Sequence, residues 1–163
     1  MHKMKKVIIA VVCLLIVGQV YGWIWPTSGR ITSLVGYRIH PITGARSFHD
    51  GTDIAAPTGT GIGNAGRGTV TVAGWVSGYG NAVYIDHSEY ARGYTTRYGH
   101  MSKIYARRGQ KLTSFNQTIG LVGSTGNSTG PHLHWEVRYY GNAKSPVCYL
   151  GQYVRRGTSV TIR

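Results

Sequence analysis

Alternation with a period of two, rather than the three-to-four spacing of an amphipathic helix, dominates the apolar and polar positions of this chain. Its clearest stretch is His132-Leu133-His134-Trp135-Glu136-Val137-Arg138. Successive side chains of a strand point to opposite faces. Leu133, Trp135 and Val137 therefore go to a core, and His132, His134, Glu136 and Arg138 share the other side. Shorter runs rich in Val, Ile, Thr and Tyr predict strands at Thr69–Ala73, Ala82–Asp86, Thr95–His100, Thr118–Val122 and Ser159–Ile162. Turn sequences such as Ser77-Gly78-Tyr79-Gly80-Asn81 and Gly123-Ser124-Thr125-Gly126-Asn127 separate them. Helical periodicity is weak beyond residue 30, with at most a short turn at Ser102–Tyr105. No repeat, linker or low-complexity tract breaks the pattern, so one all-β domain running from residue 23 to 163 is expected.

The one long apolar run without alternation, Val7 to Val17, follows Lys3, Lys5 and Lys6 and precedes Gln19-Val20-Tyr21-Gly22. This is the layout of a signal peptide over residues 1–22, and it is short of the roughly 20 apolar residues a membrane span needs. An uncleaved anchor is the alternative; export to the periplasm or outside is the expectation. Removing the leader takes Cys13 with it and leaves Cys148 without an internal disulfide partner. The chain carries 18 Lys+Arg against 5 Asp+Glu, an excess that three leader lysines do little to reduce. For an exported protein that charge favours anionic envelope polymers and peptidoglycan carboxylates. Only Arg107-Arg108 and Arg155-Arg156 are adjacent, so no nucleic-acid patch is expected.

Three glycine-flanked segments carry the candidate chemistry. His132 and His134 lie on one strand face, roughly 7 Å apart, where they can face one cleft and either bind a metal or pair as ligand and base. His49-Asp50-Gly51-Thr52-Asp53 makes a poor helix, and on a straight strand His49 and Asp53 would be roughly 13 Å apart. A bend at Gly51, through a positive φ, would bring both to one ion. The third segment is Tyr98-Gly99-His100-Met101. Each alone is also compatible with a polar surface, but two of only 5 acids and four of 7 histidines fall in these three places.

Other landmarks are Tyr37-Arg38-Ile39-His40-Pro41-Ile42-Thr43-Gly44, Ile54-Ala55-Ala56-Pro57, Gly78-Tyr79-Gly80-Asn81 and the run from Gly120 to His134. In this order the segments resemble the lysostaphin-like zinc endopeptidases (peptidase family M23), which include the LytM-type cell-wall hydrolases. The resemblance covers about Ile31 to Arg138. It implies an antiparallel β-sheet or sandwich with a metal-lined groove, and one Zn²⁺ held by His49, Asp53 and His134. It implies His132 as general base, with His100 orienting water or, when protonated, steadying the oxyanion. The substrate it implies is peptidoglycan, with D-alanyl–diaminopimelate cross-links favoured by the Arg38–Gly44 lead-in, and the enzyme is expected to act as a monomer.

A glycyl-glycine endopeptidase and a non-catalytic wall-binding regulator are the alternatives; retention of every implied ligand argues against the second. Two departures from the family pattern stand out, the Ser114-Phe115-Asn116-Gln117 loop and the glycine-rich Thr58–Gly66 segment, which puts a neat single sheet in question. Glu136 is a candidate partner of the ligands, with an exposed ion pair as the alternative. Asn81 is either a groove residue or a turn former. Ser128 matches G-x-S-x-G, but Pro131 and a strand follow it where a helix is required. Gly61–Gly66 matches G-x-G-x-x-G outside any βαβ unit, so no dinucleotide site is expected. His40 and His87 are assigned structural or surface roles.

Overall fold

The computed structural model describes residues 22–40 and 42–163, so the expected leader lies, apart from Gly22, outside the described residues. Those residues form fifteen strands and no helix. In chain order they are β1 (Trp23–Ile24), β2 (Gly29–Ser33), β3 (Gly36–Ile39), β4 (Arg46–His49), β5 (Thr52–Ala55) and β6 (Gly61–Gly63). There follow β7 (Gly68–Val76), β8 (Gly80–Asp86), β9 (Tyr94–Ile104), β10 (Lys111–Leu112) and β11 (Thr118–Val122). Last come β12 (His132–Tyr139), β13 (Asn142–Lys144), β14 (Tyr153–Val154) and β15 (Ser159–Val160).

An antiparallel sheet of eleven strands carries the domain, its main path running β10-β7-β8-β9-β12-β5-β2-β14. β12 lies at its centre, paired to β9 on one side and β5 on the other. The alternation read from residues 132–138 decides its faces. Leu133, Trp135 and Val137 are buried with Ile31, Ile54, Ile62, Ile85, Tyr98 and Ile119, while the odd-out side chains form the floor of a groove. β3 and β4 form a separate hairpin sheet that makes one wall of the groove. The loop from Asn127 to Pro131 lines the groove as well. The all-β expectation and five of the six strands hold to within a few residues at their ends; the sixth, β15, is cut short at Val160.

Two local expectations change. Ser102–Ile104 is not a turn but the continuation of β9, where Lys103 and Ile104 pair with Leu121 and Gly120 of β11. A register shift on either side of Met101 and a φ of 60° at His100 interrupt the alternation there and hide the strand's second half. The glycine-rich segment supplies β6, which joins the same sheet through β11 and buries Ile62 completely. Its glycines have a packing reason. A Cβ at Gly61 would stand 2.6 Å from the Arg156 guanidinium, and one at Gly63 would stand 2.5 Å from Asn116 Oδ1. Arg156 lies across them and donates to Asn116 Oδ1 (2.6 Å), Asn116 O (3.0 Å) and Thr118 Oγ1 (2.9 Å). Asn116, whose φ is 60°, thus gives the Ser114–Gln117 loop its function of docking the C-terminal segment.

His87 is structural, as its lack of a motif partner suggests, but it is buried rather than on the surface. Its Nδ1–H donates to Arg67 O at 2.6 Å, its Nε2 lies 2.8 Å from Thr96 Oγ1, and Trp23 packs edge-on at 4.9 Å. Burial lowers its pKa from 6.5 to about 4, against the opposing pull of the Arg67 carbonyl and Asp86. Between those two values the unfolded chain binds the extra proton. Stability is therefore complete above about pH 6.5 and falls toward pH 4, by about 3 kcal/mol from this ring. Urea midpoints measured from pH 7 to pH 4 should fall on the acid side, and His87→Asn should flatten the fall. An equally steep fall in the variant would place the acid lability elsewhere.

Candidate metal centre and groove

The register of three strands builds the centre. β12 pairs with β5 so that His134 stands directly opposite Asp53, and with β9 so that His134 stands opposite Gly99. Directly opposed residues have Cβ atoms about 4.5–5.5 Å apart, close enough for an imidazole and a carboxylate to share one ion. β4 ends at His49, the chain bends at Asp50-Gly51, and β5 begins at Thr52. This bend brings His49 Nε2 to 3.2 Å from Asp53 Oδ1. Gly51 is required for a different reason from the positive φ expected of it. It lies outside the left-handed region, and a Cβ there would stand 2.6 Å from His134 Cε1 and 2.7 Å from Nε2. The glycine makes room for the facing ligand.

The three donor atoms close a triangle. His134 Nδ1 is 2.9 Å from Asp53 Oδ1 and 3.1 Å from His49 Nε2. Donors around a tetrahedral ion at about 2.0–2.1 Å lie about 3.3 Å apart, so this triangle suits one Zn²⁺-sized ion with a fourth position left open. All three residues are buried, and among the described residues they form the one cluster of His, Cys, Asp and Glu donors fit for a metal. Each ring is held from behind. His49 Nδ1–H donates to Leu34 O at 2.9 Å. His134 Nε2–H donates to Glu136 Oε1 at 3.1 Å. These bonds fix the tautomers that turn the other nitrogens inward.

The site also has the electrostatics of a cation trap. Burial acts to raise the Asp53 pKa, but hydrogen bonds from His134 and His49 outweigh it and hold the carboxyl well below the usual range. Burial likewise acts to lower that of His134, yet Asp53 and Glu136 raise it to about 9, so a metal competes with a tightly held proton. Glu136 is fully buried rather than an exposed ion-pair residue. Its carboxylate also accepts from Tyr79 Oη and Arg138 Nε, with Arg97 Nη1 at 3.6 Å.

Two further imidazoles face the same space. His132 Nδ1–H donates to Gly130 O at 2.8 Å, leaving Nε2 inward, 3.7 Å from Asp53 Oδ1. His100 Nδ1–H donates to Thr125 O at 2.8 Å, and its ring lies 4.6 Å from that of His132 and 5.8 Å from that of His134. Burial lowers the His100 pKa to about 4, so at neutral pH its ring is neutral rather than protonated. All five residues expected at the site thus line one groove of about 520 Å³.

Tyr79 and Arg38 line the groove as well; both fall in landmark segments of the sequence, but neither is assigned a role of its own there. Tyr79 had a local signal only as a turn residue. Its carbonyl accepts from His100 N–H at 2.7 Å, tying the turn to the bulge. Asn81 braces that turn through Met101 O and Thr125 Oγ1, as a turn former does. Ser128 bonds to Ser124 Oγ and Gly130 O and sits on no strand–helix elbow.

Residues 47–146 match the sequence model of Peptidase family M23. The chain is 46% identical over 118 residues to "DD-carboxypeptidase/endopeptidase Mpg" of Neisseria meningitidis serogroup B, covering 72% of this chain and 26% of that protein. It therefore spans about a quarter of the length of the curated relatives that it matches. Among solved structures, a zinc-containing peptidase from Vibrio cholerae superposes with a TM-score of 0.65 at 38% identity, covering 74% of this chain and 37% of that one. The catalytic domain of lysostaphin from Staphylococcus simulans gives 0.64 at 28% identity, covering 72% and 88%.

Gly51→Ala should leave the sheet intact by circular dichroism while displacing His134. A tenfold or greater loss of zinc affinity in a chelator competition is expected. Wild-type affinity would show that the His134 ring does not need this gap.

Proposed function

The chain belongs to peptidase family M23, and from that premise we propose that it is a zinc-dependent endopeptidase that hydrolyses peptidoglycan, with D-alanyl–diaminopimelate cross-links as its target. The observation that carries the reading is the triangle of His49, Asp53 and His134 donors with the imidazole Nε2 atoms of His132 and His100 turned toward it. A zinc ion there supplies Lewis acidity and a bound water with a pKa near 7.

His132 is the general base in this proposal. Its Nδ1–H is fixed on Gly130 O, so Nε2 is free to take the proton of the attacking water and pass it to the leaving amine. His100, fixed in the same way on Thr125 O, presents a second acceptor and orients that water. This replaces the protonated role that the family resemblance suggested. The open groove admits an extended peptide, and the leader over residues 1–22 would deliver the enzyme to a substrate outside the cytoplasm. The Arg38–Gly44 lead-in supports the diaminopimelate cross-link over a glycyl-glycine bond.

Metal analysis of the purified protein should give one zinc per chain, and peptidoglycan digestion should stop with a chelator and return with zinc. Digestion indifferent to chelation would overturn the proposal. His132→Ala should keep its zinc and lose about 10²–10⁴-fold in rate, whereas His134→Ala should lose the metal itself. Full activity in zinc-loaded His132→Ala would reject the base assignment.

A further inference from the structure

The wall of the groove carries a cation that the proposed mechanism does not use. In the β3–β4 hairpin Arg38 pairs with Ser47, and Gly36 pairs with His49. Cross-strand partners share a face, so Arg38, Ser47 and His49 all look into the groove. Arg38 is the one lysine or arginine among the described residues that line it. Its Nη1 donates to Ser33 Oγ at 2.8 Å and lies 3.5 Å from Asp53 Oδ2. Among the described residues, Nε and Nη2 have no hydrogen-bond partner, and the side chain is 31% exposed.

The charges around Arg38 leave it available. Asp50 and Glu136 also line the groove, but Asp50 pairs with Arg138 at 3.2 Å and Glu136 with Arg138 and Arg97. Asp53 faces the metal position through Oδ1. A guanidinium held at one nitrogen and open along its other edge is suited to grip a carboxylate with two parallel N–H bonds.

Among cross-links, peptidoglycan chemistry supplies such a group at those made onto diaminopimelate. In a D-alanyl–diaminopimelate cross-link the scissile nitrogen sits on a carbon that also bears a free carboxylate. A lysine ε-amine or a glycine bridge has no free carboxylate at that position. We propose that Arg38 binds the carboxylate next to the scissile nitrogen and so selects diaminopimelate cross-links. The inference rests on the peptidoglycan endopeptidase reading and names what that site recognises. Ser33 and Asp53 hold the guanidinium beside the metal centre, and from there it would both orient the bond and reject bridges without the charge.

The test uses two purified muropeptide dimers that differ only in that carboxylate, free in one and amidated in the other. Zinc-loaded wild-type enzyme should cleave the free form with a kcat/KM roughly tenfold to a hundredfold higher, as one charge-assisted contact supports. Arg38→Gln should bring the ratio near one while zinc content stays at one per chain, and Arg38→Lys should keep part of the preference. Equal wild-type rates on both dimers would overturn the inference while leaving the endopeptidase reading intact. A variant that loses zinc, or slows on both dimers alike, would make Arg38 a support for Asp53 and overturn it too. Failure of wild type on both dimers and on intact peptidoglycan would instead remove the reading on which it rests.

Discussion

The pairing of β5 with β12 is the constraint on which the centre depends. It sets Asp53 and His134 directly across from each other, 81 residues apart in sequence, with their donor atoms 2.9 Å apart. A slip of one residue by either strand would send its donor to the opposite face and bring its apolar neighbour, Ile54 or Leu133, into the groove. The register is protected because that opposite face is the core. Leu133, Ile54 and Trp135 are fully buried there, and exposing them would cost about 1.5–3 kcal/mol each. The same apolar packing that folds the sheet therefore fixes the metal donors, and the site needs no separate scaffold.

Behind the donors lies a layer of buried charge. Glu136 has no exposure, and a carboxylate so placed is tolerable only when paired and hydrogen-bonded. Arg138, Arg97, Tyr79 and His134 surround it. Burial works against its ionisation, yet these partners lower its pKa to about 2. Burial, followed by Glu136, raises Tyr79 to about 12, so the phenol stays a donor. The result is a fixed negative charge that holds the His134 ring from the rear and fixes which nitrogen points inward.

Small residues and one strained position admit the ligands to so dense a sheet. Gly51 leaves room for the His134 ring. Gly120 and Gly123 let the backbones of β9 and β11 close on each other, where a Cβ would meet Lys103 O at 2.3 Å or Ser102 N at 2.4 Å. At the bulge His100 adopts a φ of 60°, a conformation rare for a non-glycine residue. Backbone bonds from its N–H to Tyr79 O and from the Thr125 N–H to its carbonyl, with the ring Nδ1–H donating to Thr125 O, hold it there. That strain turns the imidazole toward the groove instead of along the strand.

The sequence by itself determined the fold class, most strands and the face of each residue on β12, because alternation with a period of two is a local property of the chain. The motif order also singled out five residues that the structure gathers around one groove. It left His49 and Asp53 at an undecided separation, and gave the wrong reason for Gly51, because the crowding at that glycine comes from His134 on another strand. Ser102–Ile104 escaped notice since its bulge breaks the alternation on which strand reading relies. Burial of Glu136 and His87, the neutral ring of His100, and the place of Arg38 and Tyr79 were decided only by tertiary structure. A side chain's solvation and its charged neighbours are fixed by residues far away in sequence, and no local pattern records them.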